Sequence, residues 1–440
     1  MTTDRNGAIS KGFRRVARLD IPGGGQVSVR GNYAFVGHIA PPFGTSIIDI
    51  SDPANPRIVH QIMLENSRSH THKVRVVGDL MICNHEMFNR HFLRKGFEIP
   101  GLMAGFQAEN DRLPTDAELA AKLGVTPDDI PGLRHVGEVG YNEGGFKVYN
   151  IADPSNPKLL SYQKTGGIGV HRFYADEDYA YISTEMDGFQ GNILVNYDLA
   201  RPDALEETSR WWMPGQNIAA GETPTWSGVR NRLHHALRTG DELWAACWYA
   251  GFSVIDASDM SQLRTKATHN YHPPFPEPTH TALKLPHKLG GRDIALVVDE
   301  EHPHATGQPH AFVWIFDVTD LNAIQPLSTY HVTDFDAPWA RAHLKADGSY
   351  GASKGMEIYG PGAHQFQEHV TGDIIFCTFF SAGLRAIDIG DPLNPKELGY
   401  YIPPPAKGFA APQSNDVCLD DRGLIYVIDR INGLDILEFQ

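Results

Sequence analysis

The sequence predicts an all-β chain folded as a seven-bladed β-propeller, with a partly helical lid inserted on one face. Three observations lead there: a recurring Asp-Pro turn, a four-strand pattern around each turn, and a histidine that returns at one position of the repeat. The turn reads Ser51-Asp52-Pro53-Ala54-Asn55-Pro56, Ala152-Asp153-Pro154-Ser155-Asn156-Pro157 and Gly390-Asp391-Pro392-Leu393-Asn394-Pro395, each after a β-branched run.

Within one unit, two short strands meet at a polar turn and two more flank the Asp-Pro turn. Val74 to Cys83, turning at Gly78-Asp79, shows the first pair, and Thr45 to Ile50 followed by Arg57 to Ile62 shows the second. The third strand ends in a polar residue at Asp49, Asn150, Asp198, Asp256, Asp317, Asp388 and Glu438, which sets the count at seven and makes residues 1–440 one propeller. The last unit stops after its third strand, while residues 13–20 form a strand with no unit of their own. The N-terminal strand is therefore expected to complete the last blade and leave no open sheet edge.

Two insertions interrupt the repeat. Residues 86–145 lie between the second and third strands of the second unit and carry the helical run Thr115 to Leu123, with Thr115 as N-cap and Glu118 three residues on. Residues 334–362 lie between the fifth and sixth units. Both fall on the face where the inner strands begin, so both are expected to cover it.

The repeat resembles the LVIVD-repeat proteins, on the run Ile47-Ile48-Asp49-Ile50-Ser51-Asp52-Pro53 and its counterparts at 146–163 and 384–402. That resemblance implies a β-propeller and no particular reaction, because the family is defined by its repeat.

Composition narrows the function classes. A formal charge of −15 argues against nucleic acid or polyanionic polysaccharide as partner. No long apolar run is present, so no membrane span is expected, and Met1 to Gly7 has no apolar core after its charges, which points to a cytoplasmic chain. The four cysteines, Cys83, Cys247, Cys377 and Cys418, form no Cys-x-x-Cys pair, and the first three end second strands, where small buried thiols pack between sheets. There is no Gly-x-Ser-x-Gly elbow and no phosphate-binding Gly-x-x-x-x-Gly-Lys.

A histidine opens the inner strand of five units: His72, His171, His235, His280 and His364. Imidazole is the commonest transition-metal ligand, and a closed ring would bring these five together on its axis. His70 beside His72 and His234 beside His235 leave the register open; alignment on the following turn favours His72 and His235. The other two units carry Asn415 and Gly25 or Gln26. Glu86, Glu185 and Glu301 end second strands on the same face, where each would orient a metal-bound imidazole or pair with Arg90, Arg172 or Arg232. Trp226, Trp248 and Phe379 would supply an apolar wall, and Arg230 and Arg232 would hold a substrate carboxylate or pair with the lid.

The plan is similar to that of carotenoid-cleaving oxygenases, which hold Fe(II) by four histidines of a seven-bladed propeller with glutamates behind them. The arrangement implies a metal-dependent oxidoreductase, an Fe(II) dioxygenase that takes O2 and a small alkene, phenolic or aromatic substrate; Mn(II), Cu and Zn suit the same ligands. Two other classes fit the residues. One is a non-redox lyase or hydrolase acting on a small carboxylated substrate, and the other is a non-catalytic interaction propeller.

Overall fold

The computed structural model describes residues 7–228, 230–302, 309–333 and 359–440, with the backbone of Thr2–Thr3, Ala352–Ser353 and Met356–Glu357. The chain is all-β and of the propeller type. Its strands run up and down in antiparallel meanders at 24–63, 69–164, 170–211, 231–269, 279–330 and 365–402, and a further meander joins Ser414–Leu419, Ile425–Asp429 and Asn432–Phe439 to Phe13–Pro22.

The recurring aspartate has a local cause. At the end of five of the third strands its carboxylate accepts the backbone N–H two residues on, as in Asp49 with Ser51 (2.9 Å), Asp198 with Ala200 (2.7 Å), Asp317 with Thr319 (3.0 Å) and Asp388 with Gly390 (2.9 Å). Asn150 does the same for Ala152 through its amide oxygen. The Asp-Pro turn repeats the device, with Asp52 accepting from Ala54 and Asp391 from Leu393. These Asx turns stop one strand and aim the next, which is why the motif persists where the surrounding residues change.

The expected closure by the N-terminal strand is present. Phe13–Pro22 pairs with Asn432–Phe439, Arg14 meets Glu438, and Arg18 meets the buried Asp435 at 2.5 Å. Ile21, Val27, Val36 and Ile48 of the chain's start pack against Tyr426, Ile428 and Ile436 of its end in one apolar cluster. Ile9–Lys11, which carries no repeat signature, extends a different sheet, where Ile9 lies opposite Ile402.

Between strands Leu80–Met87 and Gly145–Asn150 the chain forms helices Arg90–Leu93, Lys95–Asn110, Asp116–Leu123 and Ile130–Val139. The Thr115–Glu118 capping box is formed, and Ile99, Leu119, Leu123, Ile130 and Leu133 give the helices a core of their own. Gly96 and Gly137 let two of the helices touch: a Cβ on Gly96 would lie 2.3 Å from the Leu133 carbonyl oxygen. Most of the 334–362 insertion lies outside the described residues. Among the described residues no helix is long and apolar enough to cross a membrane. Cys83, Cys247 and Cys377 are buried free thiols, and burial pushes Cys83 up to about 12.

Candidate metal centre

Five of the inner strands begin with an irregularity that the sequence does not advertise. Gly24 pairs with His38 and Gln26 with Gly37; Val170 with Thr184 and Arg172 with Ser183; Thr279 with Asp299 and Thr281 with Val298; Ser414 with Asp429 and Asp416 with Ile428. The residues skipped are Gly25, His171, His280 and Asn415. They are the extra residues of β-bulges, a device that turns a side chain out of the ladder. In the 231–269 meander the skipped stretch runs between Asn231 and His235 and contains His234.

The histidines at the starts of the inner strands form a row, and every contact in it but His70–His72 crosses from one meander to the next. Ring centroids lie 4.2 Å apart for His70–His72, 5.3 Å for His72–His171, 5.0 Å for His171–His234, 4.1 Å for His234–His280 and 4.4 Å for His280–His364. Gly25 leaves the room this row needs, since a Cβ there would lie 2.9 Å from that of His72. His234, not His235, belongs to the row. The register that aligns the chain is bulged residue, polar residue, apolar residue: His171-Arg172-Phe173, His280-Thr281-Ala282, His364-Gln365-Phe366 and His234-His235-Ala236. Counting back from the next turn missed the bulge and chose the neighbour.

Hydrogen bonds fix the tautomers. The Nδ1–H of His234 donates to the His280 carbonyl (2.6 Å) and that of His364 to the Asn415 carbonyl. Thr281 gives its own proton to Gln365 Oε1 (2.8 Å), so its Oγ1 accepts from His280 Nδ1 (3.0 Å). The Nδ1–H of His171 donates to Glu86 Oε2 (3.1 Å). In all four rings the proton sits on Nδ1 and the Nε2 lone pair is left over, which is the form in which histidine binds a metal. Burial drives His171, His234 and His280 well below the usual histidine range and takes His364 to about 3 against the pull of Glu300, so these rings are neutral at pH 7.

His72 is placed differently. The Asn84 amide oxygen accepts from Lys73 N, so its NH2 group donates to Val170 O (2.8 Å) and to His72 Nδ1 (3.2 Å). That puts the His72 proton on Nε2. His235 points into a second polar layer made of the residues after each bulge, with Nε2 3.5 Å from Glu368. Glu368 also takes Arg172 (2.7 Å), Arg75 (2.5 Å) and Gln26 (3.4 Å). This layer gathers the residues that follow the row around one carboxylate.

Of the three glutamates expected, Glu86 sits on the row. It is fully buried, accepts from His171 and Arg90 (2.9 Å), and lies 3.0 Å from His70 Nε2. Its burial raises the carboxyl pKa, but Arg90 and the imidazoles outweigh that and hold it at about 2. Glu185 pairs with Arg94 of the helical insert (2.6 Å), and Glu301 is used by His310 (2.7 Å) and the Ala311 N–H (2.9 Å); neither touches the row. Glu300, which was passed over, does. It lies 3.8 Å from His364 Nε2 and 3.5 Å from His302, and His234, His280 and Glu300 bring one donor atom each within 4.8 Å of one another. His70, His72 and Glu86 do the same.

The aromatic wall is also partly different. Trp248 faces the row, 6.0 Å from His234, and holds a left-handed backbone at φ 51°, a conformation that costs a large side chain free energy. Trp226 packs beside Gly215, and Phe379 is buried core against Tyr330; alternation puts Phe380, not Phe379, on His364 at 4.7 Å. Beside the row opens a cavity of about 260 Å³ whose walls include Arg230, Arg232, Trp248 and His302, with Arg90 and Arg94 of the helical insert.

The comparisons with known proteins agree on the architecture. Residues 24–63 match the model of the LVIVD repeat. The chain carries an LVIVD repeat. No curated protein matches the sequence. Among solved structures it is similar to the C-terminal WD40 domain of Sif2, at 8% identity and a TM-score of 0.51 over 97% of this chain and 98% of that one. It is also similar to Sqt1 of Saccharomyces cerevisiae, at 6% identity and a TM-score of 0.52 over 97% and 99%. At such identities the likeness carries the fold alone, which is the β-propeller.

Proposed function

We propose that the meanders are the seven blades of one ring, that the helical insert is a lid over its axis, and that the chain is a metal-dependent enzyme. The metal is held by His234 and His280, whose donor atoms lie within 4.8 Å of each other and of Glu300, and Nε2 of the flanking His171 and His364 closes on it. The observation that carries this reading is the shared tautomer: four buried rings from four meanders, each with Nδ1 spent on a neighbour and Nε2 free. Spacing supports it. Imidazoles bound cis through Nε2 at about 2.1 Å put their centroids roughly 4.5–5.2 Å apart. The three adjacent pairs lie at 5.0, 4.1 and 4.4 Å, close to that span.

Ferrous iron suits neutral imidazoles with positions left for O2 and substrate, so we assign the activity as oxygenation of a small unsaturated or aromatic molecule. When bound, the metal would supply the oxygen activation. The chain supplies the rest. Glu86 orients His171, Thr281 orients His280, and the Asn415 carbonyl orients His364; Asn415 itself spends its amide on Gly25 O (2.8 Å) and is no ligand. The lid and the Glu368 layer keep water from both ends. Glu300 stands on the metal side as a further ligand or a proton carrier.

Protein purified without tag or chelator, or reconstituted anaerobically with Fe(II), is expected to hold iron and to consume O2 with alkenes, phenols or aromatic acids. Activity that persists under nitrogen would replace oxygenation by lyase or hydrolase chemistry. No retained metal of any kind would leave a binding propeller.

A further inference from the structure

We infer that the substrate is an organic monocarboxylate, seated with its carboxylate on Arg232. The inference rests on the reading that the cavity serves the metal centre.

Arg232 is 7% exposed, and among the described residues it has no hydrogen-bond or ion-pair partner. A buried guanidinium left that way is costly, so the fold keeps it for something that arrives later. Its position says what arrives. The guanidinium carbon lies 4.2 Å from the centre of the Trp248 ring, and that of Arg230 lies 4.5 Å from the Tyr249 ring. A guanidinium stacked on a ring face keeps its in-plane N–H groups turned sideways, where a carboxylate takes two of them in parallel.

Charge counting favours one negative charge over two. Arg90 and Arg94 line the same cavity but are already paired with Glu86 and Glu185. That leaves buried Arg232 and exposed Arg230 as the spare cations, enough for a carboxylate and thin for a phosphate dianion. The size agrees, since about 260 Å³ holds a single-ring acid. The direction agrees as well. Trp248 touches both Arg232 and His234, so a molecule anchored on the guanidinium and lying along the indole would reach the free Nε2 atoms. This also gives a use for the left-handed backbone at Trp248.

The test is calorimetric titration of the full-length chain with benzoate, its uncharged isostere benzamide, and inorganic phosphate, with and without chelator. Benzoate is expected to bind, with benzamide weaker on the order of 10–100-fold, as for loss of a charge-assisted pair. Arg232→Met should weaken benzoate by a similar factor and leave benzamide unchanged. Equal binding of the acid and the amide, tighter binding of phosphate, no binding of benzoate, or a well-folded Arg232→Met that keeps wild-type affinity would each overturn the inference. If Arg232→Met does not fold, the acid-to-amide ratio on the wild type decides alone. Metal loss does not enter this readout: benzoate that binds the chelated chain through Arg232 would stand even if no metal were ever found, and metal without benzoate binding would sink only the substrate class.

Discussion

Replacing Thr281 by valine tests the tautomer argument at its weakest-looking point, because the residue touches no metal and has nearly the same shape. Thr281 is fully buried, accepts from His280 Nδ1 at 3.0 Å and donates to Gln365 Oε1 at 2.8 Å. Valine removes both bonds, together with the long contact to His235 Nδ1 at 3.5 Å, and leaves His280 Nδ1 and Gln365 Oε1 as the two main orphans in a dry place. Each orphan costs about 1–3 kcal/mol, so the variant should lose roughly 2–6 kcal/mol of stability, with the lower half expected where water can enter. The larger consequence is for the metal. Without an acceptor on Nδ1, His280 is free to swap tautomer or turn, and affinity should fall about 10–100-fold, as when other outer hydrogen bonds to ligating histidines are removed. The assay is competition against a chromogenic chelator, run beside urea denaturation of the metal-free chain. Thr281→Ser should restore most of the affinity. A valine variant that is destabilised but binds metal as tightly as the wild type would refute the reasoning, because His280 would then be a structural residue.

Three further outcomes follow from the same geometry. His234→Ala should abolish metal retention while His235→Ala keeps it, read by metal content per chain; the reverse result would restore the register that the bulge displaces. The metal-free chain should lose stability as pH falls. His364 titrates near 3 when folded and near 6.5 when unfolded, so between those limits the unfolded state holds the extra proton, and each unit of acidification costs about 1.4 kcal/mol for this ring alone. Urea midpoints at pH 7.5, 6 and 5 should therefore fall more steeply for the wild type than for His364→Asn. Arg18→Met, which leaves the buried Asp435 only the longer Arg15 contact at 3.9 Å, should cost about 2 kcal/mol and raise hydrogen exchange in strands 13–22 and 432–439; unchanged exchange would mean that the apolar seam alone closes the ring.

Much of the architecture was legible because it rests on local chemistry. The Asp-Pro turn and the aspartate before it are Asx turns that need only a few consecutive residues, and the orphan strand at 13–20 showed where the ring closes. That histidines of several repeats come together was legible too, since the residue returns at one place of the repeat. What failed was register. A β-bulge adds one residue that no turn count reveals, and that single residue separates His234 from His235. The same parity error put Phe379 at the mouth in place of Phe380, and at Glu300-Glu301 it chose the carboxylate that pairs with His310 over the one near His364. The apolar residue two places after the bulge, such as Phe173, Ala282 and Ala236, was the usable signal. Glu185 went to Arg94 because the helical insert reaches across from another meander, a contact with no trace in linear sequence.

The most direct test of the central claim is anomalous diffraction at the iron, manganese, copper and zinc edges from crystals of untagged protein. The account expects one strong peak within bonding distance of Nε2 of His171, His234, His280 and His364, with Nδ1 of each still on its partner. A peak held by His235, or no peak on the axis after anaerobic metal soaking, would contradict it.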